Sequence, residues 1–297
     1  MRLTEALVTT GYVQSKFDYS LFTKRKGTKI VIMLIYVDDL MITGNDAAMI
    51  EELKKILHAS FRMKDLGELK YFLGFEILRS REEILLNQMK YALELIEEIG
   101  LGGAKPVCTP MEQNIKLTTA GYDSSLIKNG GKKIDDEVLQ GEKEIYQRLI
   151  GRLIYLTHTR SDITFVVHHL SQFMQQPKRS HLEAALRVVK YIKKNPSQGI
   201  LLSSAGQCQL STFCDADWAA CLMTRKLVTG FCVKLRNSLI SWKSKKQNII
   251  ARSSAEAEYK GMAMVAAEIV WLKGLLVELS VRDLQPAKLY CDSKAAL

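Results

Sequence analysis

Apolar residues in the first hundred positions follow two spacings. Strand patterns, rich in β-branched and aromatic residues, occur in four runs: 17–24, 29–36, 71–78 and 84–86. Helical spacing occurs in two runs: 47–60 and 88–99. Turn residues such as Gly27 and Gly100 separate these runs. Short strands and helices mixed in this way predict an α+β domain over residues 1–104.

The middle of the chain has a different pattern. Residues 105–141 contain prolines and glycines with little periodicity, so we expect a linker with a mobile centre at 129–133. Three helical runs follow: 145–156, 163–174 and 181–194. A linker and a helical region are therefore predicted over residues 105–199.

The last hundred residues return to the mixed pattern. Strands are predicted at 209–214, 230–235, 239–242 and 287–291, and a long helix is predicted at 254–279. This order predicts a second α+β domain over residues 200–297.

The excess of positive charge makes nucleic acid a candidate partner. The net charge is +10, and residues 225–252 hold eight Lys or Arg and no acid. Such an excess favours nucleic acid or an anionic surface, although an ordinary basic protein has the same composition. Trp242 lies within this run and either stacks on a base or belongs to the core. Residues 178–194 add six cations, for which a solvated face is the alternative.

Cysteine spacing indicates a reducing compartment, and the hydropathy pattern predicts no membrane-spanning segment. The six cysteines form no C-x-x-C pair, and the histidines lack metal-ligand spacing, so neither a zinc site nor a disulfide framework is predicted. No apolar run approaches the roughly 20 residues that span a bilayer, and the N-terminus lacks a signal-peptide pattern. We therefore expect an intracellular protein, cytoplasmic or nuclear, without membrane partners.

Two sets of carboxylates are candidates for chemistry. Asp38 and Asp39 interrupt an apolar run, and a divalent cation such as Mg²⁺ would relieve the repulsion between them; simple turn chemistry is the alternative. The second set is Asp215 after a strand, Glu258 near the start of the long helix and Asp292 after the last strand. Solvated acids at element ends are the alternative there, and Asp217 and Glu256 are neighbouring candidates.

Phrases around these acids resemble one protein family. LIYVDDLMITG at 34–44 is similar to the polymerase signature of reverse transcriptases, in its copia-type retrotransposon version. The matching phrases are FDYSLF at 17–22, DLGELKYFLGFEI at 65–77, YQRLIGRLIYLTHTRSDI at 146–163, HHLSQFMQQP at 168–177 and LISWKSKKQ at 239–247. FCDADWA at 213–219, SSAEAEY at 253–259 and YCDS at 290–293 resemble ribonuclease H.

The resemblance implies a partial palm domain with a YVDD hairpin, a helical thumb and connection, and a partial ribonuclease H-like fold. It implies that Asp38 binds both polymerase metals with help from Asp39, and that Asp215, Glu258 and Asp292 converge on two further metals. The metal implied is Mg²⁺, with Mn²⁺ as the alternative, and the partners implied are a primer–template, deoxynucleotides and an RNA–DNA hybrid. The residues expected to contact nucleic acid are Tyr36, Lys243, Lys245, Lys246 and Arg252.

The match departs from the family pattern at both ends. Nothing before Phe17 matches the strand that carries a third polymerase aspartate, and no ribonuclease H element follows the one after Asp292. We therefore expect this chain alone to catalyse neither polymerisation nor hybrid cleavage. A non-catalytic nucleic-acid-binding protein is the competing interpretation.

Overall fold

The computed structural model describes residues 3–128 and 136–294, and the predicted mobile centre at 129–133 lies outside them. The chain divides into two compact units. One comprises Met1–Leu73 and Ala266–Gln285, and the other comprises Gly74–Val265 and Pro286–Leu297. Both contain helices and strands, so the α+β class is confirmed, whereas the three-part division of the chain stays a prediction.

The first unit is built around an antiparallel sheet in the order β1-β2-β3-β4. Its elements are α1 (Leu3–Thr9), β1 (Val13–Gln14), β2 (Leu21–Lys26), β3 (Lys29–Tyr36), β4 (Asp39–Gly44), α2 (Ala47–Ser60) and β5 (Tyr71–Phe72). Asp46 caps α2 by accepting a hydrogen bond from the Met49 N–H at 2.9 Å. The apolar face of α2 is buried with Phe22 and Met33 from the sheet, and this core holds the β3–β4 hairpin in place.

The second unit contains a helical core and two groups of strands. Its first elements are β6 (Phe75–Arg79), β7 (Glu83–Asn87), α3 (Met89–Glu98), α4 (Ala120–Lys128), α5 (Lys143–Leu156), a 3-10 turn (Ser161–Ile163), α6 (Thr164–Ser171), α7 (Arg179–Ile192) and β8 (Ile200–Ser203). The strands β6, β7 and β8 pair antiparallel in sequence order. Apolar side chains from α3, α5, α6 and α7 form one buried cluster, so these four helices pack as a single core.

The predicted linker is packed rather than extended over its described residues. Residues 120–128 form α4, and Asp123 on this helix is buried. The Lys178 ammonium, with its side chain 2% exposed, contacts the Asp123 carboxylate at 2.6 Å and the Asp136 carboxylate at 2.8 Å. Thr118 donates a hydrogen bond to Asp123 at 2.6 Å. Lys178 therefore belongs neither to a solvated face nor to a nucleic-acid surface, because it fastens this segment to the start of α7.

His181 completes this buried network. Its Nδ1 accepts a hydrogen bond from the Lys178 N–H at 3.0 Å, and its Nε2 lies 3.1 Å from the Thr118 carbonyl oxygen. The Phe173 ring stacks on the imidazole with centroids 3.9 Å apart. Burial, followed by the nearby Lys178 charge, lowers the pKa of His181 to about 4. The imidazole is consequently neutral at ordinary pH.

The remaining strands form a sheet in the order β11-β10-β9-β12. The elements are β9 (Gln209–Asp217), β10 (Val228–Leu235), β11 (Ser238–Lys246), α8 (Ser254–Glu278) and β12 (Gln285–Tyr290). The β9–β10 pairing runs without a shift from Asp217 opposite Val228 to Leu210 opposite Leu235. In the part of the chain that the structure describes, no helix is both long enough and apolar enough to cross a bilayer, and this includes the 25-residue α8.

Candidate carboxylate sites

The first pair of acids lies at the tip of the β3–β4 hairpin. Tyr36 pairs with Asp39, so Val37 and Asp38 form the two-residue turn. Both aspartates are exposed, and Tyr36 is 54% exposed beside them. Within residues 3–128 and 136–294, no group of three or more His, Cys, Asp or Glu ligand atoms within 4.8 Å includes this tip. The hairpin therefore presents two accessible carboxylates side by side.

The turn stores backbone strain. Val37 has φ of 50° and is 81% exposed. A β-branched side chain rarely adopts this left-handed conformation, which costs about 1–3 kcal/mol. Strain of this kind is often found at functional sites, where the surrounding structure maintains it. Here the hairpin pairing on both sides of the turn maintains it.

The second set of acids is assembled by β9, α8 and the residues after β12. Side chains on β9 alternate, so that Cys214 and Ala216 are buried while Asp215 and Asp217 are exposed. Small residues allow α8 to lie close to β9: a Cβ added at Gly261 would be 3.5 Å from the Ala216 Cβ. This close packing lets Glu258, 8% exposed, accept a hydrogen bond from the Ala216 N–H at 3.4 Å.

The structure brings Glu258 and Asp292 together with a cysteine. Ligand atoms of Glu258, Cys291 and Asp292 all lie within 4.8 Å of one another. Burial raises the pKa of Glu258, and the negative charges of Asp215 and Asp292 raise it further. Asp215 is outside the set of three but close enough to act on Glu258. A divalent cation would relieve the repulsion among these three carboxyl groups.

The neighbouring acids have other roles. Glu256 accepts a hydrogen bond from the Arg252 N–H at 2.7 Å and pairs with Lys260 on the next turn, so it stabilises the start of α8. Asp217 shares the exposed face of β9 with Asp215. Burial, and then the charge of Asp215, raises the pKa of Asp217. Asp217 therefore lies beside the cluster, whereas Glu256 does not contribute to it.

Cysteines next to the aspartates are the residues that sequence reasoning missed. The Cys291 Sγ lies 3.7 Å from Glu258 Oε2. Cys214 precedes Asp215 as Cys291 precedes Asp292, and burial followed by the nearby Cys291 and Glu258 raises the pKa of Cys214 to about 11. The Cys-Asp dipeptide occurs at 214–215 and again at 291–292, and this repetition is the sequence signal that could have pointed to these cysteines.

The predicted nucleic-acid contacts are only partly free. Lys243 and Lys245 are exposed on one face of β11, and Arg252 is exposed as well. The Lys246 ammonium instead contacts Gln172 Oε1 at 2.6 Å. Trp242 donates a hydrogen bond from Nε1 to the Thr157 carbonyl oxygen at 3.1 Å, so its indole is anchored to the helical core rather than free to stack.

Two cavities join the acidic and basic residues of this unit. One, of about 430 Å³, is lined by Asp215 and Asp217 together with Trp242 and Lys243. The other, of about 660 Å³, is lined by Lys243, Lys245 and His168, and it shares Trp242 with the first. A polyanion lying along them would contact lysines at one end and reach the carboxylates at the other.

Comparison with known proteins identifies the class. The family model for reverse transcriptase (RNA-dependent DNA polymerase) matches residues 1–113. No solved structure matches the chain.

Curated relatives extend the likeness to the whole chain. The chain is 38% identical over 296 residues to the retrovirus-related Pol polyprotein from transposon RE1 of Arabidopsis thaliana, covering all of this chain and 19% of that protein. It is 31% identical over 301 residues to the corresponding polyprotein from transposon TNT 1-94 of Nicotiana tabacum, covering all of this chain and 22% of that protein. An uncharacterized mitochondrial protein of Arabidopsis thaliana, AtMg00810, is 34% identical over 241 residues, with 80% of this chain and 93% of that protein covered.

The chain belongs to the reverse transcriptase family carried by copia-type retrotransposon Pol polyproteins. It spans about a fifth of the length of the Pol polyproteins that it matches.

Proposed function

We propose that Asp215, Glu258 and Asp292 are the divalent-metal ligands of the ribonuclease H-like part of a Pol polyprotein, which acts on the RNA strand of an RNA–DNA hybrid, and that this chain alone binds the metal without turnover. The observation that carries this proposal is geometric: ligand atoms of Glu258 and Asp292 lie within 4.8 Å of one another, and Glu258 is only 8% exposed. The charges of Asp215 and Asp292 add to the effect of burial in raising the pKa of Glu258. Carboxyl groups gathered in this way are costly to ionise together unless a cation neutralises them.

The donor set suits Mg²⁺ or Mn²⁺. Carboxylate oxygens are the ligands that these hard cations prefer, and Asp215 and Asp292 are accessible to solvent while Glu258 is fixed by the Ala216 N–H. Bound cations would supply an activated water and neutralise charge on the phosphate. The protein's own contribution is to hold the three carboxylates and to guide the hybrid with Lys243 and Lys245, which line the neighbouring cavities.

The polymerase part of the proposal concerns the hairpin tip. Asp38 and Asp39 would contribute oxygen ligands to the metals of RNA-directed DNA synthesis, which act on a primer–template and deoxynucleotides. Their exposure on a rigid hairpin supports this role. Addition of Mn²⁺ should broaden the amide NMR signals of Asp38 and Asp39, and Asp38→Asn should weaken the effect. Broadening that is unchanged in Asp38→Asn would contradict it.

Manganese binding tests the nuclease centre directly. Titration of free Mn²⁺ followed by its electron paramagnetic resonance signal should show binding that Asp215→Asn weakens by at least about tenfold, since an anionic ligand is lost. Glu256→Gln is the matched control, because it removes a carboxylate from the same helix outside the cluster. Equal binding by the wild type and Asp215→Asn would overturn the proposal. Cleavage of a labelled hybrid tests the separate prediction that this chain alone has no turnover.

Binding without catalysis is the second candidate function. The exposed pair Lys243 and Lys245 on β11 favours it, because cations two residues apart on a strand face the same side. Hybrid affinity should fall as salt rises, and replacing both lysines with Met should reduce the slope of log affinity against log salt by roughly 2. A slope unchanged by these substitutions would exclude this surface.

A further inference from the structure

A thiol that a magnesium site does not need lies beside the candidate nuclease centre. Cys291 Sγ lies 3.7 Å from Glu258 Oε2, and both lie within 4.8 Å of a carboxylate oxygen of Asp292. In a tetrahedral zinc site, with Zn–S of about 2.3 Å and Zn–O of about 2.0 Å, sulfur and oxygen ligands are about 3.5 Å apart. The Cys291 thiol donates a hydrogen bond to Glu258 Oε2 at 3.7 Å, which is close to this ligand spacing, so a cation can replace the thiol proton with little movement of the pair.

We propose that Glu258, Cys291 and Asp292 also chelate a thiophilic divalent cation, Zn²⁺ or Cd²⁺, which competes with Mg²⁺ or Mn²⁺ for the two carboxylates that the two sets share. A thiolate with two carboxylates suits softer ions, whereas Mg²⁺ takes oxygen ligands almost exclusively. Three protein ligands leave a fourth position for water, the arrangement of zinc sites that remain open. The Cys291 thiol loses its proton to solvent when the ion binds.

Access and burial single out Cys291 among the thiols of this region. Cys291 is half-buried and its neighbour Asp292 is exposed, so an ion can enter from solvent. Cys214 is 7% exposed and its Sγ contacts the Tyr290 carbonyl oxygen at 3.6 Å, which leaves it behind the cluster. Spacing rules did not predict this site, because its ligands come from α8 and from the end of β12 rather than from one segment.

Cadmium titration provides a signal specific to sulfur ligation. The full chain should show an ultraviolet sulfur-to-cadmium charge-transfer band that saturates with the first equivalent, and Cys291→Ser should remove that band and lower the affinity at least about tenfold. Glu258→Gln should lower the affinity by a similar factor while the band persists at saturation. Asp292→Asn, at an exposed position, provides the same test if Glu258→Gln fails to fold.

Cys108→Ser is the matched control, because Cys108 is an exposed thiol outside the cluster. It should leave the first equivalent unchanged. A band retained in Cys291→Ser, or affinity insensitive to both carboxylate variants, would overturn the chelate.

The proposal shares residues with the proposed nuclease centre but does not require hydrolysis. Asp215→Asn separates the two, because Asp215 lies outside the sulfur-containing set. Loss of manganese binding in Asp215→Asn with normal cadmium binding supports both proposals. Unaltered manganese binding in that variant with a normal cadmium band would reject the nuclease centre alone.

Discussion

His181 makes the second unit sensitive to mild acid. Its pKa is lowered from 6.5 to about 4, chiefly by burial and then by Lys178. A folded-state pKa below the unfolded value means that the unfolded chain binds more protons between these pH values, so stability rises with pH. The difference between a pKa of 6.5 and one of about 4 corresponds to about 3 kcal/mol of folding stability, which is present in full above pH 6.5 and is lost as the pH falls to about 4.

Urea unfolding at pH 7 and pH 5 measures this contribution. Over that interval His181 should account for about 2 kcal/mol of lost stability, according to the same linkage relation. His181→Gln removes the titration while keeping a group that can accept from the Lys178 N–H and donate to Thr118, since Gln is favourable at this position of a helix. The variant should therefore lose about 2 kcal/mol less than the wild type between the two pH values.

Two features make the comparison decisive. Burial also lowers the pKa of His168 and of His169, but both are present in the wild type and in the variant, so their effects cancel. His58→Gln, at an exposed position on α2, controls for the substitution itself. Parallel stability profiles for the wild type and His181→Gln would refute the argument.

Three further predictions concern other strained or buried groups. Lys178→Met should destabilise the second unit by about 3–5 kcal/mol, because the buried Asp123 and the half-buried Asp136 lose their cation. Urea unfolding should show no comparable loss for the exposed Arg179→Met. Burial acts to raise the pKa of Cys221, yet hydrogen bonds to its sulfur and the Lys246 ammonium at 3.4 Å lower it overall. Lys246→Met should slow its alkylation by iodoacetamide, and an unchanged rate would contradict this. Val37→Asn should raise the stability of the first unit by about 1 kcal/mol in a thermal melt, since Asn tolerates the left-handed turn; an unchanged melt would exclude strain there.

The sequence pattern predicted those helices and strands whose buried side chains are apolar and regularly spaced. The helix predicted at 47–60 is confirmed as α2, because its buried residues Met49, Leu53 and Leu57 repeat at helical spacing. The helix α4 was not predicted, because its buried side chain is Asp123 rather than an apolar residue. The Asp123 carboxylate is stable in the protein interior because the Lys178 ammonium, 55 positions later, donates a hydrogen bond to it. Local periodicity carries no information about such a distant contact.

The candidate sites show a similar division. The positions of Asp215, Glu258 and Asp292 were predicted from the family phrases around them, and the structure gives the electrostatic coupling of Glu258 to the other two. The position of Cys291 beside Glu258 could not be predicted by searching for paired cysteines in one segment. Its proximity to Glu258, 33 positions earlier, depends on how α8 lies against the sheet. Likewise, Lys246 was predicted to contact nucleic acid, and its contacts with Gln172 and Cys221 show that its ammonium is already engaged.

The unshifted β9–β10 pairing decides which β9 side chains lie beside the proposed nuclease centre. Because strand side chains alternate, sliding β9 by one position would exchange Asp215 for a neighbouring cysteine or alanine on the solvent-facing side. An inserted or deleted residue between 210 and 217 would thus replace a hard oxygen donor with sulfur or a methyl group. Residues 220–226 lie between the buried Ala219 and Leu227 and belong to no strand, so length variation among descendants of this gene should accumulate there and not within β9.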